Sequence, residues 1–149
     1  MNSPWLRIPA AYVVAVAAAA VLGCAASTQI TLNGLSGFGI DVPLTDRLSA
    51  TVHDIAGMGP FYAQIAAVAF LPAFAIAAFL LRWVPGPRPF WFAVAAGGAI
   101  VTAILIVRYF VGGTVIGGAR TPFGLLTQAL ACGAAGWLFA RVMAWKRPE

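Results

Sequence analysis

Apolar residues along this chain gather into four long stretches, at about 9–26, 60–81, 89–107 and 122–143, separated by polar or glycine- and proline-rich connectors. Each stretch has roughly the 17–25 residues that an α-helix needs to cross the hydrocarbon core of a bilayer. Each also opens with a proline: Pro9, Pro60, Pro89 and Pro122. Proline is tolerated in the first turn of a helix, where its missing N–H would have no partner in any case. The pattern predicts an all-α integral membrane protein, a four-helix bundle forming a single transmembrane domain over residues 1–149.

The connectors add detail. Between the first two stretches, Gly34, Gly37 and Gly39 break up the chain. Beyond Pro43, Leu44, Leu48, Val52 and Ile55 recur at spacings of 4, 4 and 3, one apolar face of a helix. This predicts a short amphipathic helix from Thr45 to about Ala56 in the first extracytoplasmic loop. Thr45 would be its N-cap, and Asp46 would favour its first turn. It would lie along the outer interface or pack as a lid, and Gly57-Met58-Gly59-Pro60 would end it. Pro72, inside the second stretch, removes a backbone hydrogen bond and predicts a kink near 68–72. The run Arg82-Trp83-Val84-Pro85-Gly86-Pro87-Arg88-Pro89 forbids helix and makes the second and third helices antiparallel neighbours. The connector 111–120 is apolar and glycine-rich, and would enter the membrane surface only under protein cover. Thr121-Pro122 is a cap and first-turn signal for the fourth helix. Ala129, Gly133 and Gly136 would let that helix approach a neighbour closely, with Trp137 facing lipid or filling a groove.

Composition supports a lipid environment. The chain is 62% hydrophobic and only 9% charged, against about 25% charged in a soluble domain. The net charge of +5 does not point to nucleic acid, because the basic residues are not clustered as a phosphate backbone requires. They stand at the span ends. With a cytoplasmic N-terminus, Arg7, Arg82, Arg88, Arg141, Lys146 and Arg147 share one side, and Arg47, Arg108 and Arg120 the other. The positive-inside rule then places both termini in the cytoplasm, and Trp5, Trp83, Trp91 and Trp145 form a belt at that boundary. Abundant alanine, and arginine in place of lysine, suit a high-GC bacterial genome, so the expected location is the bacterial cytoplasmic (inner) membrane. A competing reading treats Val21-Leu22-Gly23-Cys24 as a lipoprotein cleavage site with Cys24 lipidated, or Ala25-Ala26-Ser27 as a signal cleavage site. Three further spans make such an anchor redundant, and the uncleaved reading is preferred.

Little in the chain carries chemistry. The one polar constellation of shared depth is expected near the outer face: Gln64 and Gln128 within their spans, Arg108 at the outer end of the third, and His53 and Asp54 just above. Polar groups inside a membrane are costly and often functional, so these five residues are the candidate pocket for a headgroup, an anion or a quinone ring. The structural alternative is that the glutamines join helices, a contribution of about 0.6–2 kcal/mol. His53 is the only histidine, which excludes a bis-histidine haem within one chain and disfavours zinc. Cys24 and Cys132 are read as apolar filler at different depths rather than a disulfide. No span centre holds Asp, Glu or Lys, which disfavours a carboxylate-coupled antiporter. No phosphate loop, GxSxG or HExxH pattern occurs. No cofactor and no metal are expected. The reading is a non-catalytic accessory, assembly or structural component, acting through helix contacts with itself, as a homo-oligomer, or with a membrane protein partner in the lipid bilayer. The alternatives are a small oligomeric transporter or channel element, and a lipid- or quinone-directed enzyme using the outer polar cluster.

Overall fold

A computed structural model describes residues 4–37, 39, 41–113 and 116–144, and side chains from Arg7 onward apart from residue 36. Trp145, Lys146 and Arg147 lie outside the described residues, as does the side chain of Trp5. The described chain is helical: α1 (Pro4–Ser36), α2 (Leu44–Leu80), α3 (Arg88–Val111) and α4 (Pro122–Ala144), with a short 3-10 turn, Gly117–Ala119, before α4. All four α-helices are long and apolar enough to cross a membrane.

They pack in cyclic order, α1 against α2, α2 against α3, α3 against α4 and α4 against α1. On α1 the buried positions include Ala11, Ala15, Ala19 and Cys24, small residues that admit a close neighbour. A Cβ on Gly97 of α3 would stand 2.8 Å from the Ala129 carbonyl, and one on Gly136 of α4 would run into the Phe92 carbonyl. These two glycines therefore let the backbones of α3 and α4 touch. Toward the end that carries Arg7, Arg82, Arg88 and Arg141, the interior is aromatic. Phe74 stacks on Phe70 at 5.1 Å and on Phe139 at 4.5 Å, and meets Phe92 edge-on at 5.4 Å. Arg7 Nη2 donates to the Met143 carbonyl at 3.4 Å, fixing the start of α1 beside the end of α4.

Several helix boundaries differ from the sequence expectation. Pro89 falls in the first turn of α3, and Pro122 is the first residue of α4. Thr121 Oγ1 accepts from the Gly124 N–H at 3.0 Å, as the cap signal predicts. Pro9, however, lies inside α1, which starts at Pro4 and runs on past residue 26 to Ser36. Pro60 likewise lies inside α2, and the predicted separate loop helix is absent: Leu44–Ala56 forms the opening turns of one unbroken helix. The N-cap position is Pro43 rather than Thr45, with no side-chain cap.

Two physical reasons account for the continuity. A proline inside a helix removes a single bond, and Pro60 stands twenty residues, about 30 Å, from Leu80. In a bilayer whose core of about 30 Å began at Leu80, the carbonyl that Pro60 frees would meet headgroups or water. In addition, side-chain hydrogen bonds clamp the opening turns of α2 to the far end of α1. Arg47 Nη1 donates to Asn33 Oδ1 at 2.8 Å, and Gln29 Nε2 donates to Thr51 Oγ1 at 3.0 Å. Helices α1 and α2 are thus about 50 and 55 Å long, against about 35 Å for α3 and α4, and extend beyond them as a hairpin. The stripe of Leu44, Leu48 and Val52 remains exposed on this hairpin, while its polar side chains pair across it.

The described residues 116–120 of the connector pack on the helices. Gly112 ends α3 in the left-handed conformation (φ 72°), which glycine alone adopts without strain. The Gly118 N–H donates to Ser27 Oγ at 3.0 Å, the Gly117–Ala119 turn packs against α1 and α4, and Ile116 is buried beside Ile65, Ile104 and Val107.

Candidate functional site

The polar interior of the molecule centres on Tyr62, which was not among the sequence candidates. Tyr62 is buried on α2, and the hydroxyl end of its ring lies against Gly23 of α1, where any Cβ would collide with it. Its hydroxyl donates to Gln128 Oε1 at 2.6 Å and lies 3.3 Å from Cys132 Sγ. Gln128, fully buried on α4, uses its Nε2 to donate to the Gly23 carbonyl at 3.1 Å. One amide and one phenol thereby join three helices. A tyrosine at this depth needs a partner for its hydroxyl; that requirement, together with a glycine and a glutamine at similar depth, is the signal that could have found the trio.

A second polar group stands one to two turns further along α1. Thr28 is buried, its Oγ1 lying 2.9 Å from the Cys24 carbonyl and 2.7 Å from Asp54 Oδ2 on α2. The Arg47–Asn33 and Gln29–Thr51 contacts follow above it. The side-chain to side-chain contacts between α1 and α2 thus run from Thr28 and Asp54 toward the hairpin tip. Below Tyr62, the Phe70–Phe74–Phe92–Phe139 cluster closes the interior. Tyr12 donates to the Ala67 carbonyl in the turn before Pro72.

The five sequence candidates are dispersed. Gln128 belongs to the Tyr62 trio. Asp54 faces α1 and bonds Thr28. His53 is exposed, as expected of its neighbour on a helix that turns 100° per residue. Arg108 is exposed at the far end of α3. Gln64 is exposed on the opposite side of α2 from Tyr62, because two residues amount to about 200° of helical rotation. No hydrogen bond joins any two of the five, and no side-chain hydrogen bond joins Gln64 to any described residue. Gln64 instead lines an open valley of about 630 Å³ between α2 and α3, whose other walls include Ile65, Ala69, Ala73, Ala99 and Thr102. Thr102 satisfies its own hydroxyl on the Gly98 carbonyl at 2.9 Å.

Among the described residues, no three His, Cys, Asp or Glu side chains gather as a metal site would need. Every buried side-chain nitrogen and oxygen among them has a hydrogen-bond partner. Cys24 and Cys132 are buried free thiols. Trp137, expected to face lipid or fill a groove, is partly exposed with the Arg141 guanidinium 4.5 Å over its ring. No protein family, curated protein or solved structure matches this chain.

Proposed function

We propose that this chain is a multi-pass protein of the bacterial inner membrane that acts as a non-catalytic component, through helix contacts with a second copy or another membrane protein. The observation that carries this reading is where the polar groups go. Tyr62, Gln128 and the Gly23 carbonyl satisfy one another inside the helices, which is how structural polar residues hold membrane helices together. The groups left open point outward: Gln64 in the valley between α2 and α3, and the Leu44, Leu48 and Val52 stripe on the hairpin. Such outward features serve contact rather than turnover.

The membrane orientation follows from charge. Arg7, held at Met143, lies at the same end as Arg82, Arg88 and Arg141. A basic end of this kind faces the cytoplasm, which supports cytoplasmic termini and a hairpin in the periplasm. Counting about 1.5 Å per residue from Leu80, Asp54 stands about 39 Å up α2. That is beyond an approximately 30 Å core, so the Thr28, Gln29, Asn33, Arg47 and Thr51 contacts occupy the headgroup and aqueous layers. In this reading the four helices form a bundle, and lipid covers its apolar exterior.

The reading is tested by extracting the protein from its native membrane into nanodiscs and measuring particle mass. A defined species larger than one chain of 15.5 kDa is expected. A single chain at every dilution, or a purified activity abolished by His53→Ala, would refute it.

A further inference from the structure

We propose that the valley between α2 and α3 is the contact surface for a second copy of this chain, with the Gln64 amide of each copy bonded to the Gln64 amide of the other. The inference rests on the non-catalytic reading above and names its partner. Gln64 lies sixteen residues before Leu80, about 24 Å along α2, inside a hydrocarbon core of about 30 Å. It is exposed there, and no side-chain hydrogen bond joins it to any described residue. A glutamine amide carries two N–H donors and a carbonyl acceptor, and leaving them unmatched in hydrocarbon costs several kcal/mol. Acyl chains supply neither.

Symmetry identifies a group that supplies both. Two copies inserted with the same orientation are related by a twofold axis along the membrane normal, so each residue meets partners of its own depth. The Gln64 N–H of one copy then reaches the Gln64 carbonyl of the other, and the reverse, so each amide donates one bond and accepts one. The valley suits a helix. Among larger apolar side chains such as Val68 and Ile106, Ala69 and Ala73 open one wall and Ala99, Thr102 and Ala103 the other. Such small side chains let a third helix approach two backbones closely. Along α2 the valley runs from Phe61 to Ile76, about 22 Å, four turns of contact. The opposite face of α2 is already taken by Tyr62, Ala66 and Phe70 in the interior, so association through the valley leaves the folded chain undisturbed.

Oxidative cross-linking in native membranes tests the contact. Gln64→Cys is expected to give a covalent dimer. The wild type, whose Cys24 and Cys132 are buried, and Leu130→Cys on the exposed face of α4 are expected to give none. In parallel, energy transfer between labelled copies diluted into vesicles of phosphatidylethanolamine and phosphatidylglycerol is expected to weaken about threefold to twentyfold in Gln64→Leu. Equal cross-linking at Leu130→Cys, or undiminished association of Gln64→Leu, would overturn the contact while leaving the non-catalytic component reading intact. No Gln64→Cys dimer and no energy transfer between wild-type copies would overturn the contact, and a single chain in native-membrane nanodiscs as well would overturn both. A phospholipid retained by the wild type and lost from Gln64→Leu, without a covalent dimer, would assign the valley to lipid and overturn the contact.

Discussion

Gln128 and Gln64 stand at nearly the same level, sixteen residues from the basic-end termini of α4 and α2 respectively, and meet opposite environments. Gln128 is fully enclosed between α1, α2 and α4, its amide oxygen bonded to Tyr62 and its amide nitrogen to Gly23. Gln64 opens into the valley between α2 and α3 with no bond to the rest of the described chain. The same side chain at the same depth thus holds the fold in one place and is available for association in the other. What separates them is azimuth. Tyr62 takes the inner face of α2, and helical rotation puts Gln64 outside.

The comparison can be broken from several directions. The largest effect is expected where the interior tolerates no added volume. Gly136→Leu drives a side chain into the Phe92 carbonyl and should destabilise the fold by about 1–3 kcal/mol or more, measured as thermal unfolding in detergent. Next comes the Tyr62 trio. Gln128→Leu leaves the Tyr62 hydroxyl with only Cys132 Sγ, takes the amide from the Gly23 carbonyl and should cost about 1–2 kcal/mol by the same measurement. Tyr62→Phe should cost somewhat less, since the Gln128 nitrogen keeps its bond to Gly23. The smallest effect is expected at the hairpin: Asn33→Ala removes the Arg47 contact in a wet environment and should cost about 0.5 kcal/mol. A hairpin variant as damaging as Gln128→Leu would contradict the placement of that segment beyond the bilayer core.

Much of the architecture was legible in sequence. Hydropathy located four helices, and the prolines at 89 and 122 marked two starts, because at those places local chemistry and tertiary structure agree. The long ends of α1 and α2 were not legible. Gly34 and Gly57-Met58-Gly59-Pro60 read as breaks by local preference, yet cross-helix bonds from Gln29, Asn33, Arg47 and Thr51 hold helix through or around them. In the candidate site, depth was readable and direction was not. Counting along helices put Gln64, Gln128 and Asp54 near the outer side, but which of Tyr62 and Gln64 turns inward depends on packing against Gly23. Tyr62 is not legible from sequence because an aromatic residue in an apolar stretch resembles ordinary core.

The most direct measurement is native mass and melting temperature for the wild type, Gln64→Leu and Gln128→Leu side by side. The account predicts a crossed pattern. Gln64→Leu should shift the particle toward a single chain of 15.5 kDa with its melting temperature at full dilution unchanged, and Gln128→Leu should melt lower while still associating. The reverse pattern, with Gln64→Leu unfolding early and Gln128→Leu falling apart into stable single chains, would contradict it.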